Sequence, residues 1–347
     1  MPSQNTSEDK LPVEEIIAIG EDMCRYALGT LGFSAIGFAK AARVSDDQAR
    51  HLRQWLDNGG NADMAYMKNW YDKRVDPRLL MPGLKTIVSV ALNYAPAHTL
   101  PKDEPQISAY ALGKDYHDIV KSKLFKLAEW LNQRIGSEDK DDETNNVPLS
   151  YRVFVDTGPV LERYWAVQAG LGWIGRNHQL IIPHAGSMFF LGELFLDIEL
   201  PFDSPMPNRC GSCHRCIDAC PTGALGTPPS PDDSSVQPTN GEVAGFFSAS
   251  LCLSYQTIEN RGKLSETAKQ KMGDMFYGCD RCQQACPWNR FAKPNDTPEL
   301  QPSDELLHMT REKWHELSVD DYRRLFKGSA VKRAKYEGLK RNIDNLK

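Results

Sequence analysis

Long apolar runs are missing from this chain of 347 residues. None approaches the roughly 18 residues that a membrane-spanning helix needs, so no membrane attachment is expected. The amino terminus, MPSQNTSEDKLPVEE, is polar and acidic and lacks the apolar core of a secretory signal. That absence points to a reducing, cytoplasmic setting and removes a disulfide framework as the use for cysteine. Cysteine is itself sparse along most of the chain. Outside residues 210–286 only Cys24 occurs, within a helical pattern where a thiol reads as a small buried hydrophobe. Positive charge is not in surplus either, and the net charge of −5 argues against a broadly basic nucleic-acid surface.

The other eight cysteines share one window. Cys210-x2-Cys213-x2-Cys216-x3-Cys220-Pro221 is the spacing of two-cluster bacterial ferredoxins, and Cys279-x2-Cys282-x3-Cys286-Pro287 repeats it without the first cysteine. In that arrangement three close cysteines grip one four-iron cube and the cysteine before proline reaches to the other. Cys210, Cys213, Cys216 and Cys286 form one ligand set. Cys220, Cys279 and Cys282 form most of the second, and Cys252 is the one thiol left in the window to complete it. Two [4Fe–4S] clusters are therefore expected. Structural zinc prefers two separated CxxC pairs and is the weaker reading. Two cubes within one ferredoxin unit read as an electron wire rather than as staples.

The first 200 residues alternate strands and helices, the mark of a mixed α/β or α+β fold. Residues 13–31 read as an amphipathic helix and Phe33–Ala39 as a strand. Ser45–Asp57 reads as a helix capped by Ser45, with Asp46 and Asp47 in its first turn. Thr86–Tyr94 is β-branched and apolar, as in a buried strand. Lys114–Ile135 has helical periodicity, Gly136–Asn146 reads as an acidic loop, Tyr151–Asp156 as a strand and Val160–Ala169 as a helix. Gln179–Pro183 and Met188–Leu200 look like paired strands about the turn His184–Ser187. Gly226–Gly241 is a Pro- and Ser-rich excursion. Gly241–Tyr255, Ser265–Met275 and the residues from Asp304 onward read as helices. The expected division is a catalytic domain over 13–205, a ferredoxin-like module over 206–295 and a helical basic tail over 300–347. From Tyr322 to Lys347 nine Lys/Arg face two acids, a local charge of +7 that leaves −12 for the rest. Such a stretch is either a phosphate-contacting patch or a solvated helix face.

Gly170-Leu-Gly172-Trp-Ile-Gly175 matches the GxGxxG dinucleotide fingerprint, but the residues before it read as helix rather than strand, so its context is inverted. A glycine turn admitting a large flat cofactor suits it better. Val155-Asp156-Thr157-Gly158-Pro159 is more telling. Asp156 ends a strand just before a Gly-Pro turn, where apolar shielding would raise its pKa and make it an acid. The alternative is a helix N-cap or an ion-pair partner of Arg163.

At this point a family resemblance emerges. VDTGPVLERYWAVQAGLGWIGRNHQLIIPHAGSMFFLGELFLD, CGSCHRCIDACPTGAL, LCLSY and YGCDRCQQACPWN together resemble the epoxyqueuosine reductases. The earlier segments DMAYMKNWYDKRVDPRLLMPGLKTIVSVALNY and SAYALGKDYHDIVKSKL look like the same family, so the resemblance spans roughly residues 15–345. It implies a cobalamin-binding domain similar to that of reductive dehalogenases, a docked two-cluster module, and reduction of epoxyqueuosine at the wobble position of tRNA. It also implies that Asp156 is the proton donor, that the eight cysteines are the cluster ligands, and that an external low-potential donor supplies electrons. There is no DxHxxG cobalamin motif, because Asp115-Tyr116-His117 is followed by Asp-Ile-Val, and this suits the family's base-off cofactor. Arg74, Asp115, Tyr116, His117, Asn177, Gly186, Ser187 and Asp280 are candidates for the cofactor and substrate pocket, with scaffold roles as the alternative. A monomer is expected. Some relatives continue into a helical-repeat domain that grips tRNA, and here the chain stops after GSAVKRAKYEGLKRNIDNLK, which puts more weight on the basic stretch. A reductive dehalogenase and a non-enzymatic electron carrier are the rival readings.

Overall fold

The computed structural model describes residues 12–136, 149–226 and 246–346. The acidic stretch 137–146 and residues 227–241 of the Pro-rich excursion lie outside the described residues. The centre is an antiparallel sheet of four strands in the order Ala35–Lys40, Thr86–Asn93, Phe189–Leu196, Tyr151–Phe154. Thr86–Asn93 is buried along nearly its whole length, as its Val, Ile and Ala content dictates. Alternate residues then serve opposite faces. Val88, Val90 and Leu92 pack on the helices Val13–Gly29 and Tyr116–Gly136, while Ile87 and Ala91 pack on Asp46–Asp57 and Glu162–Gln168. Ser45 caps its helix as its sequence position requires, its hydroxyl accepting the Gln48 N–H at 3.2 Å.

Three expected elements are rearranged. Residues 179–183 do not pair with the strand after the turn; Leu180–Ile181 pairs with Trp173–Ile174 instead. Phe189–Leu196 has both edges taken, by Thr86–Asn93 and by Tyr151–Phe154, so no edge is left for it to offer. The helix expected over 265–275 ends at Lys271, because Gly273 takes a left-handed conformation (φ 58°). Met275–Tyr277 then forms a strand parallel to Gln106–Ile107. The part of 241–255 that is described is broken at Cys252, whose extended backbone separates the short helices Ala249–Leu251 and Leu253–Ile258.

Two short helices of the cysteine window, Arg215–Asp218 and Arg281–Gln284, pack against each other. The residues from Asp304 onward form short helices whose Trp314, Phe326, Leu339 and Ile343 share one core with Leu253, Ile258, Phe276 and Tyr277, and with Ile107 and Leu112 of the first half. Asn342, fully buried, bonds the carbonyls of Thr257 (2.7 Å) and Phe276 (2.9 Å). Among the described residues no helix is long and apolar enough to cross a membrane.

Candidate active site

The strand Tyr151–Phe154 delivers Asp156 just past its end, with left-handed backbone (φ 55°). Such a conformation costs a non-glycine residue on the order of 1 kcal/mol, so surrounding contacts must hold it. One of them is Glu162, whose carboxyl accepts the Asp156 N–H. The Asp156 carboxylate receives two groups at one oxygen, Oδ2: the Tyr116 hydroxyl at 2.8 Å and His117 Nε2 at 3.3 Å. Asp115 holds the other nitrogen of His117, Oδ1 to Nδ1 at 2.6 Å. The tyrosine ring is sandwiched between Phe190 (4.2 Å, 1° between planes) and His117 (4.1 Å). Protein crowds Asp156 closely, yet 60% of its side chain stays open to solvent.

Burial alone would raise the pKa of Asp156, but the hydrogen bonds from His117 and Tyr116 outweigh it and hold the carboxyl below the ordinary range. The raised value expected from apolar shielding is thus corrected: donors surround this group. Burial also opposes charge on His117, and its bonds to Asp115 and Asp156 prevail, lifting its pKa to about 9. The imidazolium is the proton-bearing partner of the pair at neutral pH. The helix Glu162–Gln168 has Leu161 at its N-cap and no side-chain cap, so Asp156 is not its cap. Arg163 donates to the His178 carbonyl and acts on Asp156 only through its charge.

Behind Asp156 lies a pair of buried acids. Glu193 is fully buried, opposite Phe154 in one ladder and Ser89 in the other, and neither of its oxygens has a conventional donor. Its neighbour is Glu162. Burial first, then the charge of Asp156, pushes Glu162 up to about 8, and Glu193 is pushed well above its ordinary value. Two adjacent carboxyls in such surroundings cannot both ionise, so a proton is kept between them. Glu193 was not among the residues expected from sequence. Its signal was there: a lone acid on the inward phase of the strand FFLGELFL.

Arg74, Asp280, Ser187 and Gly186 make contacts that tie segments of the chain together. Arg74 is buried and bonds the carbonyls of Asn69 (3.2 Å) and Tyr66 (3.0 Å), fastening that loop. Asp280 is buried and accepts from the Ser108 hydroxyl and the Ala109 N–H (2.7 Å), clasping the second cysteine run to the first half of the chain. Ser187 is bonded through its N–H to Asn289 Oδ1 (2.7 Å), and its carbonyl accepts from Gln283 (2.9 Å). Gly186 is left-handed (φ 89°), and a Cβ there would lie 2.3 Å from Asn289 Oδ1, so the turn admits only glycine against the cysteine module. Likewise a Cβ on Gly172 would meet the Ile181 carbonyl at 2.1 Å: this glycine admits a neighbouring strand, where a flat cofactor was expected.

The eight thiols fall into two neighbourhoods. Cys216 feels Cys286 and Cys210, and Cys286 feels Cys210 and Cys213. All four line one cavity, with Arg176, Asn177, Ile181, Pro287 and Trp288. Cys282 feels Cys279, Cys252 and Cys220, and more weakly Cys216 of the other group. Burial and then the neighbouring thiols push Cys216 up to about 11; Cys279 reaches about 11 as well, chiefly through burial. Crowded buried thiols resist ionisation on their own, and a cationic iron core is what relieves them. Among the described residues no three metal-binding side chains form a single-ion site. The cavity ringed by Cys210, Cys213, Cys216 and Cys286 suits a cube.

Residues 209–289 match the family described as a 4Fe-4S double cluster binding domain. The chain is accordingly an iron–sulfur protein with a double-cluster module. Residues 74–157, which include Tyr116, His117 and Asp156, match the family described as "Epoxyqueuosine reductase QueG, DUF1730". The epoxyqueuosine reductase of Cellulophaga algicola is 41% identical over 326 residues, covering 94% of this chain and 97% of that protein. A crystal structure of epoxyqueuosine reductase with an epoxyqueuosine-modified tRNA-Tyr stem loop superposes with a TM-score of 0.77 at 28% identity, over 95% of this chain and 81% of that one. The Bacillus subtilis enzyme, whose structure has an aspartate catalytic loop swung out of the active site, gives 0.76 at 27% identity over 95% and 81%. This chain belongs to the epoxyqueuosine reductase family.

Proposed function

We propose that the chain reduces epoxyqueuosine to queuosine at the wobble position of tRNA, with Asp156 delivering the proton, cobalamin as redox cofactor and two [4Fe–4S] clusters feeding it electrons from an external low-potential donor. The observation that carries this reading is the Asp115–His117–Asp156–Tyr116 network, centred on a carboxylate that stays open to solvent, in a chain that also holds two sets of four thiols. Family membership and the relative solved with its modified stem loop support it. Cys210, Cys213, Cys216 and Cys286 would hold one cluster and Cys220, Cys252, Cys279 and Cys282 the other.

One feature of the network supports a base-off cobalamin. Both ring nitrogens of His117 are engaged, by Asp115 and Asp156, so this histidine is not a free axial ligand. Tyr116, His117 and Asp156 are the residues that would face the cofactor and substrate. Bound cobalamin supplies a strongly reducing, nucleophilic metal centre. Converting the epoxide to an alkene and water consumes two electrons and two protons. As the C–O bond opens, negative charge grows on oxygen and Asp156 is placed to protonate it. A substrate seated on Asp156 would strip water from the 60% of its side chain that is open, which raises its pKa towards that task. His117 then reloads Asp156, and Tyr116 keeps the carboxyl aimed. Outward-facing Lys327, Lys332 and Lys335 are exposed and available for tRNA phosphates.

The test is anaerobic reconstitution with cobalamin, iron and sulfide, followed by turnover on tRNA carrying epoxyqueuosine. Formation of queuosine is expected. Loaded protein that reduces neither the tRNA nor a modified stem loop would overturn the assignment and leave an electron carrier.

A further inference from the structure

Asn177 is 3% exposed and lines the same cavity as Cys210, Cys213, Cys216 and Cys286. Its Oδ1 accepts the Gln179 N–H at 3.2 Å. That bond fixes the amide's orientation, because only the oxygen can accept, and it leaves the NH2 as the other end. This Nδ2 is buried and has no protein partner. A buried donor left unpaired loses its hydration with nothing in return, so such a group calls for an explanation. Trp173, whose indole N–H is also buried without a partner, packs with Cys286 and Cys210 in the same small cluster. The segment carrying Asn177 is fastened to the first cysteine loop from both sides: Arg176 bonds the Gly211 carbonyl (3.0 Å), and Asn208 bonds the Ile174 carbonyl (3.1 Å).

We propose that the Asn177 amide donates an N–H···S hydrogen bond to the cluster held by Cys210, Cys213, Cys216 and Cys286, and thereby sets that cluster's potential above what its four thiolates alone would give. Asn177 is a positioning and tuning residue that acts through the cluster, in place of the cofactor-pocket role expected of it from sequence. The physical reason is charge. Reduction adds an electron to sulfur-rich density, so a donor aimed at sulfur stabilises the reduced state more than the oxidised one. In a buried site that difference is large enough to read. The inference rests on the cluster assignment above.

The experiment is a redox titration of the reconstituted full chain followed by electron paramagnetic resonance, with iron and sulfide counted first. Asn177→Asp keeps the oxygen that holds Gln179 and removes the donor but adds a negative charge that itself disfavours reduction; Asn177→Ala removes both oxygen and donor without adding charge and is the deciding variant. In both variants one cluster should become harder to reduce, with the reduced-to-oxidised ratio at a fixed potential falling roughly threefold to tenfold. The second cluster should keep its midpoint. Full iron with both midpoints unchanged overturns the tuning role and leaves the cluster assignment standing. Loss of one cluster in both variants makes Asn177 a structural support and also overturns it. Wild-type protein that binds no cluster at the four thiols overturns the assignment and the inference together.

Discussion

Tyr116 donates its hydroxyl to Oδ2 of Asp156 at 2.8 Å while its ring lies flat on Phe190, 4.2 Å away and 1° from parallel. Phe190 belongs to the central sheet, so the tyrosine that bonds the acid is braced against the core. That matters because the Asp156 backbone is left-handed and would relax if released.

Asp156→Asn should keep the iron and sulfide content and lose turnover by roughly 10²–10⁴-fold, the usual worth of a positioned acid. Single-turnover rates on modified stem loop check this. A variant within a few-fold of wild type would place the acid elsewhere.

Turnover should fall as pH rises through about 9, the value to which Asp115 and Asp156 lift His117. His117→Gln should lose that limb and run slower at neutral pH, because the reloading proton is gone. The same pair gives a stability signature. His117 is raised on folding, so its contribution is fully present below its unfolded pKa near 6.5 and disappears as pH climbs through about 9.

Glu162 and Glu193 bind a proton in the folded state that the unfolded chain gives up near pH 4.5, and Glu162 releases it only at about 8. Stability should therefore decline across that interval, at most about 1.4 kcal/mol per pH unit for each proton. Glu193→Gln should flatten the decline. Thermal melts at several pH values decide it, and equal slopes in both proteins would refute the shared proton.

Reconstituted wild-type protein should carry roughly eight irons and eight sulfides. Cys252→Ala should retain one cluster with its spectrum intact and lose or destabilise the other. Loss of both would mean the two sites fold as one, and stoichiometric zinc without sulfide would remove the clusters altogether.

The basic stretch divides into two kinds of side chain. Arg341 reaches the carbonyls of Gln256 and Asn260 at 2.9 and 2.8 Å, and that of Gly262, while Arg333 forms a two-point pair with Glu259. Arg341→Ala should lower stability by on the order of 2 kcal/mol through stranded carbonyls. Replacing Lys327, Lys332 and Lys335 by alanine should leave melting unchanged and weaken tRNA binding, reducing the logarithmic salt slope by roughly 0.7–0.9 per lost contact. An unaltered slope would mean that these lysines only solvate their surface.

The buried strand, the capped helix and the two cysteine runs were legible because each is a local pattern: apolar content, a Ser-Asp-Asp start, fixed spacing. Asp156 was legible from its Gly-Pro turn. The direction of its pKa was not, because Tyr116 and His117 come from a helix some forty residues earlier, and only the fold brings them to one oxygen. The contacts by which Arg74, Gly186, Ser187 and Asp280 tie segments together were hidden for the same reason. Polar residues that tie two segments together carry the same letters as those that bind a ligand. The basic tail shows the limit of counting charge, since it says nothing of which cations are already paired.

Asp280 follows Cys279 directly and grips Ser108 and Ala109, while Tyr110 beside them stands edge-on to Tyr116 (6.2 Å) and bonds Tyr277. A thiol of the second group is therefore joined to the tyrosine that aims the acid through a short chain of direct contacts. Oxidative damage at Cys279 would be felt first as a loosened clasp and then as a misdirected Asp156. The carboxylate network and the cysteine-rich segment are thus braced as one piece, and a displacement of either is passed to the other.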